Sequence, residues 1–138
     1  PAKWEWIKTD FQRHADHYGI PYRFNPHFIF STVNAMRGAL WALSNGQIEP
    51  YNQAMFSAAW AQGEDLSSPD ALREILTNAG FDPEQVADAM AQPQIKTALI
   101  EATDDAAKRG VFGAPTFFVN DEMFFGQDRM DWVKRALG

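Results

Sequence analysis

Two short stretches near the end of the chain hold the residues whose types and spacing bear most directly on chemistry. In Gly113-Ala114-Pro115-Thr116 a proline stands immediately before an apolar, β-type run. Proline has no amide to give to a ladder, so the chain enters that strand at an edge, at a bend or through a cis bond. A cis Ala114–Pro115 bond would turn the amide and carbonyl of Ala114 outward, where an extended peptide-like ligand can pair with them as an added strand does. On local sequence alone, an ordinary proline-led strand remains the plainer alternative. In Phe125-Gly126-Gln127-Asp128-Arg129-Met130 a glycine turn leads into a helix start that carries an acid. Free amides at such a start attract a carboxylate, and Asp128 can accept an ammonium beside it, so one site would read both ends of an amino-acid zwitterion. The competing role for Asp128 is to cap its own helix.

Other constellations are weaker. Asp10, His14 and His17 share one flank of a helix and could in principle grip a metal, although an exposed His/Asp flank beside an apolar stripe is the commoner arrangement. No metal site is expected. His27, between Pro26 and Phe28, reads as a loop residue, and Glu64-Asp65 and Asp104-Asp105 as solvated surface. The aromatics Trp4, Trp6, Trp41, Phe56 and Trp60 are each core candidates, and together they could wall a cleft for a flat aromatic substrate. No paired carboxylates, Ser/His/Asp arrangement or phosphate loop can be argued from spacing. Because the chain has no cysteine, its residues supply no disulfide, thiolate metal ligand or dithiol redox centre.

The elements that must position these groups are mainly helical. From Lys3 to Tyr18, the residues Trp4, Ile7, Phe11, Ala15 and Tyr18 recur at helical spacing, and Gly19 supplies a stop. Ile20 to Phe30, with Pro21 and Pro26, reads as extended or irregular chain. A second helix from Ser31 or Thr32 to Asn45-Gly46 should turn Val33, Met36, Leu40 and Leu43 inward, and a third should run from about Glu49 to Gln62. Ser68-Pro69 and Asp82-Pro83-Glu84-Gln85 are helix starts with a cap and a first-turn proline. A further helix spans about Pro93 to Arg109. Beyond Gly110, Thr116-Phe117-Phe118-Val119 and Met123-Phe124-Phe125 flank Asn120-Asp121-Glu122 as a hairpin, before a last helix with Met130, Val133 and Leu137 on one face. The expected organisation is a helical part, 1–109, and a strand–strand–helix part, 110–138. Two strands do not make an independently stable sheet, so the hairpin is expected to need strands from a segment preceding Pro1.

Composition narrows the partners. The chain has 138 residues, 46% of them apolar, which suits one folded unit with a core rather than disorder. A net charge of −6 with no basic run disfavours nucleic acid. No apolar run approaches the roughly 20 residues that span a bilayer, so a membrane is not an expected partner.

The stretch Gly110-Val111-Phe112-Gly113-Ala114-Pro115-Thr116-Phe117-Phe118-Val119, followed by Phe124-Phe125-Gly126-Gln127-Asp128-Arg129-Met130, resembles the C-terminal signature of the 2-hydroxychromene-2-carboxylate isomerases. It is also similar to that of the kappa-class glutathione transferases. Pro1-Ala2-Lys3-Trp4, Asp10, the Gly19-Ile20-Pro21 turn and the Arg37-containing helix extend the resemblance over essentially the whole chain. It implies an α/β, thioredoxin-like fold of the DsbA branch with a large helical insertion, mainly helical here because the N-terminal strand–helix–strand is expected to be absent. It implies glutathione as cofactor: a cis Pro115, Ala114 pairing with the cysteinyl unit, Gln127 and Asp128 holding the γ-glutamyl end, Lys3 near the glycyl carboxylate, and Asp10 reaching glutathione across a dimer interface. The family's catalytic serine precedes these segments, so no catalytic residue is expected within this chain. The implied reaction adds the glutathione thiolate to a chromene, opens the ring, allows rotation and releases the thiol, which gives a trans-o-hydroxybenzylidenepyruvate. The expected partners are a small aromatic substrate, glutathione and a second copy of the chain, in the cytoplasm. A DsbA-type thiol oxidoreductase, a kappa-like transferase and a non-catalytic peptide- or glutathione-binding module are the alternatives.

Overall fold

The computed structural model describes residues 2–138; Pro1, the first residue of the family-like opening, lies outside them. The elements are helices α1 (Ala2–Tyr18), α2 (Val33–Ser44), α3 (Ile48–Ser57), α4 (Pro69–Asn78), α5 (Pro83–Ala91) and α6 (Pro93–Lys108), strands β1 (Thr116–Val119) and β2 (Glu122–Phe125), and helix α7 (Met130–Leu137). A π-helical turn, Ala58–Gln62, extends α3, and a 3₁₀ turn, Gln127–Arg129, precedes α7. They form two compact units, Pro1–Leu99 and Ile100–Gly138.

In the first unit the core is built by α2 to α5. Ser68 Oγ accepts the Ala71 amide and Asp82 accepts the amides of Glu84 and Gln85, so both proline-led helices start as their cap residues dictate. They deliver Leu72, Ile75 and Leu76 from α4 and Val86 and Met90 from α5 to a core shared with Tyr51 and Met55 of α3. The inward face of α2 differs from the expected one. Val33, Met36 and Leu43 are 46%, 48% and 59% exposed, whereas Ala35, Gly38 and Ala42 are buried. The reason is close approach. A methyl group at Gly38 would fall on the Tyr51 hydroxyl and within 2.6 Å of Met90 Cε, so only the small-residue stripe can meet the neighbouring helices. The Tyr51 hydroxyl uses that room to donate to the Ala35 carbonyl at 2.8 Å.

α1 ends at Gly19, whose φ of +65° suits a residue without a side chain. Of its apolar stripe only Ala15 is buried; Trp4 stacks on Phe28 at 5.7 Å and Phe11 meets Tyr22 edge-on at 6.2 Å. The irregular segment that supplies those rings is pinned to the π turn. Arg23 donates its amide to the Trp60 carbonyl at 2.6 Å, and the fully buried Asn25 donates to the carbonyls of Ala59 and Glu64, each at 2.8 Å. Asn25 also accepts the His27 amide, so three bonds satisfy its side chain where water cannot reach.

In the second unit β1 and β2 pair antiparallel, from Thr116 opposite Phe125 to Val119 opposite Glu122. Asn120, in the two-residue loop, takes the left-handed conformation that asparagine tolerates. Of the expected stripe Met130, Val133 and Leu137 on α7, only Val133 is buried.

Candidate functional site

The hairpin and the segments flanking it assemble four of the sequence-predicted site residues. The Ala114–Pro115 peptide is cis. Pro115 immediately precedes β1, and its carbonyl accepts the Gly126 amide at 2.9 Å, which extends the hairpin's pairing by one bond and lays the end of β2 against the approach to β1. The Gln127–Asp128 turn therefore begins one residue after the group bonded to Pro115. Among the described residues, neither the amide nor the carbonyl of Ala114 is engaged in a hydrogen bond, and the residue is exposed. Among the described residues β1 has β2 on one side and no strand on the other.

Two glycines set the shape of this approach. A side chain at Gly113 would come within 2.9 Å of the Phe125 ring, which is itself 4.6 Å from the ring of Phe112. Thr116 Oγ1 closes the bend by donating to the Gly113 carbonyl at 2.6 Å. Gly126 has φ +103° and ψ 148°, a combination that residues with a Cβ essentially do not adopt. A Cβ there would lie 2.5 Å from Asp128 Oδ1, so the carboxylate occupies the space that glycine leaves.

Asp128 does not cap: neither the 3₁₀ turn nor α7 has a side-chain cap bond. Its Oδ2 instead receives Arg129 Nη1 at 2.6 Å, with the Asp128 side chain 65% exposed. The acid is thus oriented by its neighbour and presented to solvent, and Gln127 beside it is exposed. Sequence reasoning missed a further contact in this unit. The Arg109 guanidinium lies 3.6 Å from the centre of the Phe118 ring and props the face of β1, a pairing that a basic last turn before an aromatic strand could have suggested.

Lys3 and Asp10 belong to the first unit. Lys3 lies exposed in the first turn of α1. Asp10 Oδ2 is 3.6 Å from His14 Nδ1, and that same nitrogen is 2.9 Å from the Asp10 carbonyl. His17 meets Tyr18 edge-on at 4.8 Å, so the polar flank of α1 is spent on local contacts, and no group of three metal-ligating side chains occurs among the described residues. The aromatics divide. Trp41 and Tyr51 pack around Phe81 in the core, whereas Trp4, Phe24, Phe28, Phe30 and Trp60 form a chain of ring contacts at 5.6 to 6.3 Å, with Trp4 and Phe28 partly open to solvent. Phe24, Phe28 and Phe30 were not foreseen in this cluster, because the irregular segment has no periodicity from which to assign a face. Nearby, burial pushes the Tyr22 phenol up, and its hydroxyl has no hydrogen-bond partner among the described residues.

A family model for the DsbA-like thioredoxin domain matches residues 1–138. The chain belongs to the DsbA-like thioredoxin family. A solved structure of 2-hydroxychromene-2-carboxylate isomerase superposes on this DsbA-like chain with a TM-score of 0.88 at 28% identity, over 99% of this chain and 66% of that one. The α/β, thioredoxin-like fold expected from the sequence is therefore the fold observed. The 2-hydroxychromene-2-carboxylate isomerase of Sphingobium xenophagum is 32% identical over 131 residues, 95% of this chain and 66% of the relative. That of Pseudomonas putida is 32% identical over 139 residues, 99% of this chain and 66% of the relative. The human glutathione S-transferase kappa 1 is 26% identical over 100% of this chain and 67% of its own length. The chain thus spans about two thirds of the proteins it matches, and its relatives are isomerases and glutathione transferases. Within the DsbA-like fold β1 and β2 make up the sheet among the described residues, and no helix among those residues is long and apolar enough to cross a membrane.

Proposed function

We propose that this chain forms the glutathione-holding part of a glutathione-dependent isomerase acting on 2-hydroxychromene-2-carboxylate-type compounds. The observation that carries the reading is the open backbone of Ala114 at the approach to β1, coupled through the Pro115–Gly126 hydrogen bond to the turn that presents Asp128. The unpaired amide and carbonyl of Ala114 suit the backbone of an extended tripeptide, which can bond to them as an added strand does. Asp128, oriented by Arg129 and exposed on its other side, suits the ammonium of a γ-glutamyl unit, with Gln127 as a neutral hydrogen-bonding neighbour. When bound, glutathione supplies the thiolate that adds reversibly to the substrate. The task of these residues is to bind and orient the tripeptide so that its thiol is presented in one geometry.

In this reading residues 1–109 form the helical insertion and 110–138 the C-terminal strand–strand–helix of the thioredoxin-like domain. Lys3 attracts the glycyl carboxylate, Asp10 reaches glutathione across the interface of a homodimer, and the partly open ring cluster around Trp4 and Phe28 suits a flat aromatic substrate. The catalytic serine lies in a preceding segment, and the protein works in the cytoplasm. A kappa-type glutathione transferase is the second reading, supported by the similarity to the human kappa 1 protein over the whole chain.

Calorimetric titration of the full-length protein with glutathione tests the common element. Asp128→Ala is expected to weaken binding at least about tenfold, since a charge-assisted hydrogen bond is worth about 1.5–3 kcal/mol, with little change in melting temperature because the side chain caps nothing. No glutathione binding by the unmodified protein would remove both readings. Turnover of a hydroxychromene carboxylate at equal rates with and without glutathione would remove the isomerase mechanism. Binding without turnover of either substrate class would leave a binding module.

A further inference from the structure

Two cavities in the first unit differ in the sign of their walls. One, of about 370 Å³, has Glu64 and Glu74 in its lining and no cationic side chain. The other, of about 270 Å³, is lined from α2, α4, α5 and the first turn of α6, and has Arg37, Arg73 and Lys96 in its wall and no carboxylate. In a chain of net charge −6, cations converging on one cleft without an acid among its lining residues need a reason.

The partners of these cations divide them. Arg73 is largely committed, with Nε 2.9 Å from Glu84 Oε1 and Nη1 3.9 Å from Asp70 Oδ1, so it screens more than it attracts. Arg37 is not. Its Nη1 makes one long bond of 3.3 Å to Asn34 Oδ1, and its Nε, screened from solvent, has no acceptor among the described residues. A guanidinium N–H cut off from water and left unpaired is costly, and a bound anion is one way in which such a donor is met. Lys96 is exposed at the rim and forms no ion pair among the described residues. Leu72, Leu76 and Met90 complete the wall, so charge on a ligand here would be attracted through a poorly screening surround.

We propose that this cleft binds a small oxyanion, held by the Arg37 guanidinium with Asn34 beside it and drawn in by Lys96. The planar fork of arginine fits a carboxylate or a phosphate, and the modest volume limits the ligand to a compact molecule rather than one of drug size. The site involves none of the residues assigned to glutathione, and its test uses no glutathione, so the two stand or fall separately.

The test is nitrogen-15 NMR of the full chain, following the Arg37 Nε–H resonance during titration with sodium succinate and, separately, inorganic phosphate, at constant ionic strength with chloride as the control. The expected result is a saturable shift with at least one of the two, absent with chloride; the tighter binder assigns the ligand class as carboxylate or phosphate. Lys96→Met, an exposed substitution that spares the core, should weaken the response several-fold, and Arg37→Gln should abolish saturable binding as read from the Asn34 amide. A response linear in anion concentration, one equal to that of chloride, or one unchanged in Lys96→Met would overturn the proposal.

Discussion

Replacing Gly126 by alanine tests whether the hairpin and the acidic turn act as one device. At φ +103° and ψ 148° a residue with a Cβ costs about 1–3 kcal/mol, of which roughly 0.4–1 is offset because the restricted unfolded chain of alanine raises the free energy of the unfolded state. If the turn rotates to relieve part of the strain, it gives up the Gly126 amide's bond to the Pro115 carbonyl, 2.9 Å in the native form, for about 0.5–1.5 kcal/mol beside the strain that remains. Together these put the net loss near 2 kcal/mol. The added methyl would also lie 2.5 Å from Asp128 Oδ1, so the carboxylate must leave its present position whether or not the backbone moves. Hydrogen exchange reads the local effect. Protection of the β1 and β2 amides should fall roughly thirtyfold, since every 1.4 kcal/mol is a factor of ten. Glutathione affinity should fall by at least as much as in Asp128→Ala. Unaltered exchange together with unaltered affinity would refute the idea that glycine is there to seat the carboxylate and to close the hairpin.

Three further outcomes follow from the first unit. Gly38→Ala, which in an exposed helix would gain about 1 kcal/mol, should instead cost about 2 kcal/mol in denaturant unfolding through overpacking against Tyr51 and Met90, and Tyr51→Phe should relieve part of that cost in the double variant. Asn25→Ala should cost about 3 kcal/mol by equilibrium unfolding, because it strands the buried carbonyl of Ala59 and removes the partner of the half-buried carbonyl of Glu64 and of the His27 amide; a loss below about 1 kcal/mol would contradict its role as a hub. Asp65 is held below the usual carboxylate range by the Ser67 hydroxyl and then the Ser67 amide. A depressed pKa contributes stability above the ordinary carboxylate value and loses it as pH falls through the folded value, so Ser67→Ala should raise the Asp65 midpoint in an NMR titration and flatten stability over that acidic window.

What could be read from the sequence, and what could not, follows from the range of the interactions involved. Ser68-Pro69 and Asp82-Pro83 located two helix starts because a cap and a first-turn proline act within four residues. The turn signal Asn120-Asp121-Glu122 located the hairpin for the same reason, although Glu122 itself opens β2. The face of α2 was misjudged because periodicity weighs residue size and hydrophobicity, whereas the seam was decided by how closely α3 and α5 approach, and there Gly38 counts for more than Leu43. The candidate site lies between these extremes. Ala114-Pro115 and Gly126-Asp128 each had a local alternative, a plain strand entry and a helix cap. The cap is ruled out by the salt bridge that turns Asp128 toward Arg129, and the two stretches became one feature only through the bond from Gly126 to Pro115, eleven residues apart in the chain. The Arg37 cleft shows the same limit from the other side. Nothing in Asn34 to Arg37 or Lys96 marks a site by spacing, because the signal is an unmet donor, and a donor is known to be unmet only once its neighbours are placed. Local chemistry therefore finds the ends of elements, and the groups left wanting a partner where those elements meet are what direct attention to ligands.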